Sequence, residues 1–180
     1  LITTSRQVLK NGVDNAIEGI SKLPENYHFA ILGIGPDKNK NRELAKKLNI
    51  ENRIHFVGEV KHPEMAIYLK ACEIFIRPSR SEGMGNSFVE AMSMKLPVIA
   101  TREGGLADFI FENETKQTAW VCVKDDPESI VDSVNRIENL KINNQEKFNK
   151  IILDSYKMVQ EKYDWEIIAK SMEKEVFDLV

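Results

Sequence analysis

Short apolar runs alternate with helix-length amphipathic stretches through most of this chain, and that alternation restricts the fold more than any other feature. The runs occupy residues 1–4, 27–32, 53–57, 74–76, 97–100 and 118–123. They are too short for helices, and several stop at a loop former: Gly33, Gly58 and Pro78. Between them, residues 12–23 carry Val13, Ala16, Ile17 and Ile20 at helical spacing. Residues 37–48 place Leu44, Ala45 and Leu48 on one face, and Pro63 suits the first turn of a helix reaching Ala71. Residues 87–94 form a further helix. Asp126 followed by Pro127 reads as an N-cap and first helical position, after which helical periodicity runs to the end with a polar break at Asn143 and Asn144. Strands alternating with helices imply βαβ units and a doubly wound parallel sheet of the α/β class. In such sheets ligands bind beyond the carboxyl ends of the strands. The loops to search therefore begin at Ser5, Gly33, Gly58, Arg77, Thr101 and Lys124.

Composition narrows the chemistry. The chain has 180 residues, enough for one domain with a real core, and a formal net charge of -3. That charge excludes a broad nucleic-acid interface, which needs a surplus of Lys and Arg. Cys72 and Cys122 form no C-x-x-C pair, and His28, His55 and His62 show no metal-ligand spacing. No metal is expected. His28 and His55 fall inside strand runs and read as packed residues. No apolar run of 18 residues and no signal peptide is visible. The chain opens at Leu1 within a strand run, which suggests an excerpt from a longer protein.

The informative stretch is residues 77–100, RPSRSEGMGNSFVEAMSMKLPVIA. Glu82 lies in the loop after a strand, and Glu90 lies eight positions later in the following helix. Between them the turn Gly83-Met84-Gly85-Asn86 lets backbone N–H groups approach a ligand closely. The helix start at Ser87 and Phe88 offers unpaired N–H groups and a positive dipole end to a phosphate. An anion cradle beside two carboxylates suits a ligand that presents phosphates and hydroxyls. The same residues admit a plainer reading. Ser87-x-x-Glu90 fits a capping box, and Glu82 could be a solvated loop acid.

This segment resembles the E-x(7)-E signature of retaining GT-B glycosyltransferases, notably family 4. The matching residues are Pro78-Ser79, Glu82-Gly83, Gly85, Glu90-Ala91-Met92, Pro97-Val98-Ile99-Ala100-Thr101 and Gly104-Gly105. Lys95 stands where the family most often has a small residue. The resemblance extends over nearly the whole chain: Thr4-Ser5-Arg6 is similar to the opening strand and basic loop, and Gly33-Ile34-Gly35-Pro36 to a G-x-G-P turn. Phe56-Val57-Gly58 is similar to the strand whose following loop, with Val60, faces the base, and Tyr163-Asp164-Trp165 to the start of the closing helix. All belong to the second, donor-binding domain of that architecture.

The resemblance implies a Rossmann-like nucleotide-sugar-binding domain over residues 1–160, a closing helix over 161–180, and an absent N-terminal acceptor domain. The ligand implied is a nucleoside-diphosphate sugar, with no cofactor. Glu90 would accept from the ribose hydroxyls and Glu82 would face the transferred sugar. Gly83, Met84, Gly85 and Asn86 would offer amides to the sugar; Ser87 and Phe88 would offer theirs to the diphosphate. Gly33, Gly35 and Val60 would complete the donor site. Arg6 would hold the diphosphate and stabilise charge on the leaving group. The family usually has a Lys five positions after that Arg; here Asn11 stands there and Lys10 is one step early, so either could complete the clamp. The resemblance further implies a cytoplasmic enzyme, inactive as this chain alone, with any peripheral membrane contact made through the missing domain. A separate subunit of a split enzyme and an epimerase or phosphorylase relative share the pattern. A dinucleotide-dependent oxidoreductase is disfavoured, because Lys38 occupies the third glycine position of G-x-G-x-x-G. Finally, Trp165, Ile168, Ala169, Met172, Val176 and Phe177 form a helical stripe that reads as a packing face, part of which would lack its partner here.

Overall fold

The strands are β1 (Ile2–Thr4), β2 (Phe29–Leu32), β3 (Ile54–Gly58), β4 (Phe75–Arg77), β5 (Val98–Ala100) and β6 (Trp120–Val121). In the computed structural model, which describes residues 1–113 and 115–177, they form one sheet in the order β3-β2-β1-β4-β5-β6. Every pairing is parallel. The helices are α1 (Val13–Ser21), α2 (Lys38–Lys47), α3 (His62–Lys70), α4 (Asn86–Ser93), α5 (Pro127–Asn143), α6 (Gln145–Tyr163) and α7 (Trp165–Met172), followed by a wide turn at Glu173–Phe177. This is the expected doubly wound, Rossmann-like α/β fold.

Alternation of side chains along the strands sorts the apolar residues into two cores. Ile31, Ile76 and Ile99 point to one face, where they meet Ile17 and Ile20 of α1, Ala45 of α2, and Ile130, Val134 and Ile137 of α5. Leu32, Phe75, Val98 and Ala100 point to the other, against Leu69 of α3, Phe88 and Met92 of α4, and Met158 and Val159 of α6. Both faces are covered, which is why the strands read as continuous apolar runs.

Helix ends follow local chemistry. The Asp126 side chain accepts from the amides of Glu128 (3.0 Å) and Ser129 (3.4 Å), with Pro127 beginning α5. Asn144 caps α6 by accepting from Lys147 N, and Asp164 caps α7 by accepting from Glu166 N. Arg53, buried below β3, donates to the carbonyls of Ile20 (2.8 Å), Leu23 (3.0 Å) and Pro24 (2.8 Å), closing the end of α1. Lys95 follows α4 at a φ of 60°, a conformation that favours glycine, and this accounts for the small residue expected there.

One expectation changes. His28 and His55 are not packed residues: both rings are exposed, and they hydrogen-bond each other across the outer edge of the sheet at 2.9 Å, because β3 is the edge strand. The α7 stripe is largely uncovered, in line with the expectation that part of it lacks a partner: Trp165 is 81% exposed, Met172 and Val176 are exposed, and Ile168 is half-buried. The Phe177 side chain lies outside the described residues. No described helix is long and apolar enough to cross a membrane.

Candidate functional site

Strand order reverses between β1 and β4. The loop after β1 leads to α1 on one face, and the loop after β4 leads to α4 on the other. A crevice opens at such a switch point, outside the carboxyl ends of the strands. Arg6, Lys10 and Asn11 come to it on the β1 loop; Glu82, Gly83, Met84 and Gly85 on the β4 loop; and Asn86, Ser87, Phe88 and Glu90 on α4. Gly33 and Gly35 follow β2, and Val60 follows β3, further along the same edge of the sheet.

Backbone contacts lock these loops together. Gly12 adopts a φ of 69°, and a Cβ there would lie 2.0 Å from the Pro78 carbonyl oxygen. The amide of Arg80 donates to the Lys10 carbonyl at 2.7 Å. On the far side, a Cβ on Gly104 would meet the Glu82 carbonyl oxygen at 2.1 Å. Gly33 and Gly35 are likewise pressed, at 2.2 Å, against the carbonyls of Ser5 and Gln7. The chain itself thus occupies the space their missing side chains leave.

Arg77, the last residue of β4, is the functional residue that the sequence reading missed. Its buried guanidinium donates through Nη1 to Ser87 Oγ (2.8 Å) and through Nη2 to Asn11 Oδ1 (2.9 Å), and it pairs with the Glu82 carboxylate. It also lies over the Phe88 ring, 5.4 Å from its centroid. Burial pushes its pKa down, while the Glu82 charge opposes that shift. The one available signal was a charge closing the otherwise apolar run Ile74-Phe75-Ile76.

Glu82 is therefore no solvated loop acid. Its side chain is 9% exposed, and Oε1 accepts from the Gly83 amide at 3.1 Å. Glu90 differs. It is the fifth residue of α4, 33% exposed, and its Oε1 lies 3.1 Å from His62 Nε2 at the start of α3. His62, Met65, Leu69, Glu90 and Met94 line a groove of about 190 Å³ between α3 and α4. The capping box does not form: α4 begins at Asn86 with Gly85 as N-cap, so Ser87 sits inside the helix and its hydroxyl meets Arg77 instead.

Three assigned donors are corrected. Asn11 cannot offer a hydrogen bond to a ligand, because it is buried with Nδ2 on the Arg6 carbonyl (2.6 Å) and Oδ1 on Arg77. The Phe88 amide is taken by the Gly85 carbonyl at 2.9 Å, and the Gly83 amide by Glu82. The amides of Met84, Gly85, Asn86 and Ser87 have no partner among the described residues. Arg6 and Lys10 are exposed cations without an ion pair among the described residues. Arg80, by contrast, is paired: it bridges Asp14 (2.8 and 2.9 Å) and Asp125 (2.5 Å). Among the described residues, no group of three or more His, Cys, Asp or Glu is placed to hold a metal ion. The crevice thus combines free cations, free amides at a helix start, and two carboxylates in different settings, an arrangement that can hold an anion beside hydroxyl groups.

Known proteins share this fold and are similar to the chain in sequence. The family model for glycosyl transferases group 1 matches residues 1–154. An uncharacterised glycosyltransferase of Methanocaldococcus jannaschii is 28% identical over 167 residues, covering 93% of this chain and 44% of its own. The chain spans less than half the length of such relatives. Among solved structures, Anabaena HepE in complex with UDP and glucose superposes with a TM-score of 0.85 at 18% identity, over 98% of this chain and 47% of that one. The C-terminal domain of a group 1 glycosyl transferase from Francisella tularensis superposes at 0.75 with 24% identity, over 91% of this chain and 86% of that one. A match across six-sevenths of its residues, on the fold seen in that C-terminal domain, places the chain in the glycosyl transferases group 1 family.

Proposed function

We propose that this chain is the nucleotide-sugar-binding half of a retaining glycosyltransferase, acting in the cytoplasm together with an acceptor-binding half. The observation that carries the reading is the convergence of Glu82, Glu90, the α4 start and the unpaired cations Arg6 and Lys10 on the one crevice at the switch point. The binding of UDP and glucose by Anabaena HepE, which has the same fold, supports it. The diphosphate lies over the free amides at the start of α4, where unpaired N–H groups and the helix dipole favour an anion. Arg6 donates to it as a fork, and Lys10, not Asn11, supplies the second cation. The ribose hydroxyls replace His62 on the Glu90 carboxylate. The sugar reaches Glu82 at the lip of the Gly83–Gly85 turn.

During transfer the bond from the anomeric carbon to the β-phosphate oxygen breaks, and negative charge grows on the departing diphosphate. In this reading Arg6 and Lys10 on the β1 loop, with the unpaired amides at the start of α4, stabilise that charge. Two cations and a helix start suffice for this, and binding is expected to need no divalent metal. The acceptor and its activating groups belong to the other half, so the chain alone transfers nothing.

Calorimetry with UDP-, GDP- and ADP-sugars, in magnesium and in EDTA, tests the reading. One base series should bind on the order of 0.1–1 mM, since one wall of the cleft is missing and solvent screens the charges. EDTA should leave that affinity unchanged. Loss of binding in EDTA, or no binding in any series, would overturn the proposed site.

A further inference from the structure

Arg77 follows Ile74, Phe75 and Ile76, all fully buried, so the strand delivers a guanidinium into an apolar surround. Even after relaxation such a transfer costs several kcal/mol per ion, and it is tolerated only where geometry and hydrogen bonds compensate. The compensation comes from three separate segments: Asn11 on the β1 loop, Glu82 on the β4 loop, and Ser87 in the first turn of α4. A tie within one segment would serve folding alone. This one spans both walls of the crevice.

The chemistry of each tie has a direction. A serine hydroxyl has one hydrogen and two lone pairs. Arg77 Nη1 donates into Ser87 Oγ, so the hydroxyl hydrogen is left for an acceptor, and polarisation by a charged donor strengthens what it gives. Glu82 presents the opposite problem. A free carboxylate beside the α4 start would repel any anion bound there. Arg77 draws that carboxylate inward and neutralises it, and the Gly83 amide holds its other oxygen.

We infer that Arg77 is a positioning residue of the crevice: it turns Ser87 into a hydroxyl donor toward an anion over the start of α4, and it holds the Glu82 charge off that anion. The inference rests on the donor-site reading above, and it assigns a role to a residue that touches no ligand itself. It also explains the burial of Asn11, whose amide is the rigid link between Arg77 and the backbone of Arg6.

The test is calorimetric titration of the chain with UDP, using Arg77→Met, Arg77→Lys, Ser87→Ala and two double variants. Arg77→Met should lose about tenfold or more in affinity, as expected for a charged hydrogen-bond system. Ser87→Ala should lose less, and the Arg77→Met/Ser87→Ala pair should bind no worse than Arg77→Met alone, because both remove one interaction. The decisive variant is Arg77→Met/Glu82→Gln. Removing the second charge should recover UDP affinity to within roughly threefold of Ser87→Ala, since the repulsion has gone. Replacing both members of a buried pair also restores stability, so affinities are compared only on variants shown to be folded by circular dichroism, where a residue that merely holds the fold leaves UDP affinity unchanged throughout. Arg77→Lys keeps the charge without the fork and should bind at an intermediate level. If Arg77→Met does not fold, Arg77→Lys and the charge-free Met/Gln pair carry the test. Losses that multiply between Arg77 and Ser87, or an Arg77→Met/Glu82→Gln pair that binds no better than Arg77→Met, overturn the inference. Where Arg77→Met is unfolded, a Met/Gln pair that binds UDP about tenfold or more below Ser87→Ala has the same force. Should the unaltered chain bind neither UDP, GDP nor ADP, the donor-site reading fails. The anchor is then judged without ligand: non-additive urea stabilities of Arg77→Met and Glu82→Gln sustain it, and additive ones remove it.

Discussion

Replacing Glu90 by Gln separates ligand binding from folding, because the structure removes the ambiguity that the S-x-x-E spacing creates. Glu90 is not reciprocating a cap: Gly85 is the N-cap, and Ser87 is tied to Arg77. What the substitution disturbs in the free chain is one contact, 3.1 Å to a His62 side chain that is 83% exposed. Exposed pairs of this kind contribute about 0–1 kcal/mol, so urea denaturation should register a change of no more than about 1 kcal/mol. The ligand should register far more. A hydrogen bond to a charged group contributes about 1.5–3 kcal/mol, which is roughly tenfold to a hundredfold in affinity. Because a ribose is present with or without a sugar attached, UDP and UDP-glucose should weaken together. Glu82→Gln is the internal control: it should weaken the conjugate more than the free diphosphate. The assay is calorimetry on both variants with both ligands, beside urea melts. If Glu90→Gln leaves both affinities unchanged, the reasoning is refuted whatever the urea melts show.

Gly12→Ala should destabilise by about 2–4 kcal/mol in urea denaturation, since left-handed strain adds to a backbone clash at the Pro78 carbonyl that no side-chain motion relieves; a change below about 1 kcal/mol would contradict the locked-loop picture. Arg53→Met should cost about 2–4 kcal/mol by taking the guanidinium from the carbonyls of Ile20, Leu23 and Pro24 at and just beyond the end of α1, read in the same melts; a smaller loss means water replaces the guanidinium freely. The buried Cys122 thiol is pushed up to about 12, so at pH 8 it should resist iodoacetamide until urea is added. The sign follows from the same shift: above pH ~9 the unfolded chain loses the thiol proton while the folded chain keeps it, so the urea midpoint should fall as pH rises from 9 toward 12.

The fold was legible because its signals are local and periodic. Side-chain alternation in Phe75, Ile76 and in Val98, Ile99 marks strands buried on both faces, and Asp126-Pro127 marks a helix start from two adjacent residues. The site was legible only where residue type alone determines a role. Glu82, Glu90 and the glycine turn could be placed at the crevice by their position after a strand. Which amides remain free could not, because that depends on whether α4 begins at Asn86 or Ser87, and one residue of displacement turns a capping serine into a partner for Arg77. Asn11 could not be excluded as a donor for a similar reason: its partners come from residues 5 and 66 positions away. Arg77 passed unnoticed because a strand-end arginine is ordinary in sequence, and its weight comes from burial.

The two carboxylates, eight residues apart, end in environments that assign them different tasks. Breaking a buried ion pair by removing one partner costs about 3–5 kcal/mol, whereas an exposed pair contributes about 0–1. Glu82 with Arg77 belongs to the first kind, and Glu90 with His62 to the second. A ligand hydroxyl can therefore displace His62 from Glu90 at almost no cost, while none can draw Glu82 from Arg77 at the energies a single hydrogen bond supplies. Glu90 is exchangeable and fits a group that arrives and leaves with each nucleotide. Glu82 is fixed before any ligand arrives, so whatever meets it must fit the carboxylate where it stands. Selection among sugars then falls to the rigid wall formed by Glu82, the Gly83–Gly85 turn and the Gly104–Gly105 backbone packed behind it, and recognition of the nucleotide falls to the more yielding side at Glu90 and His62.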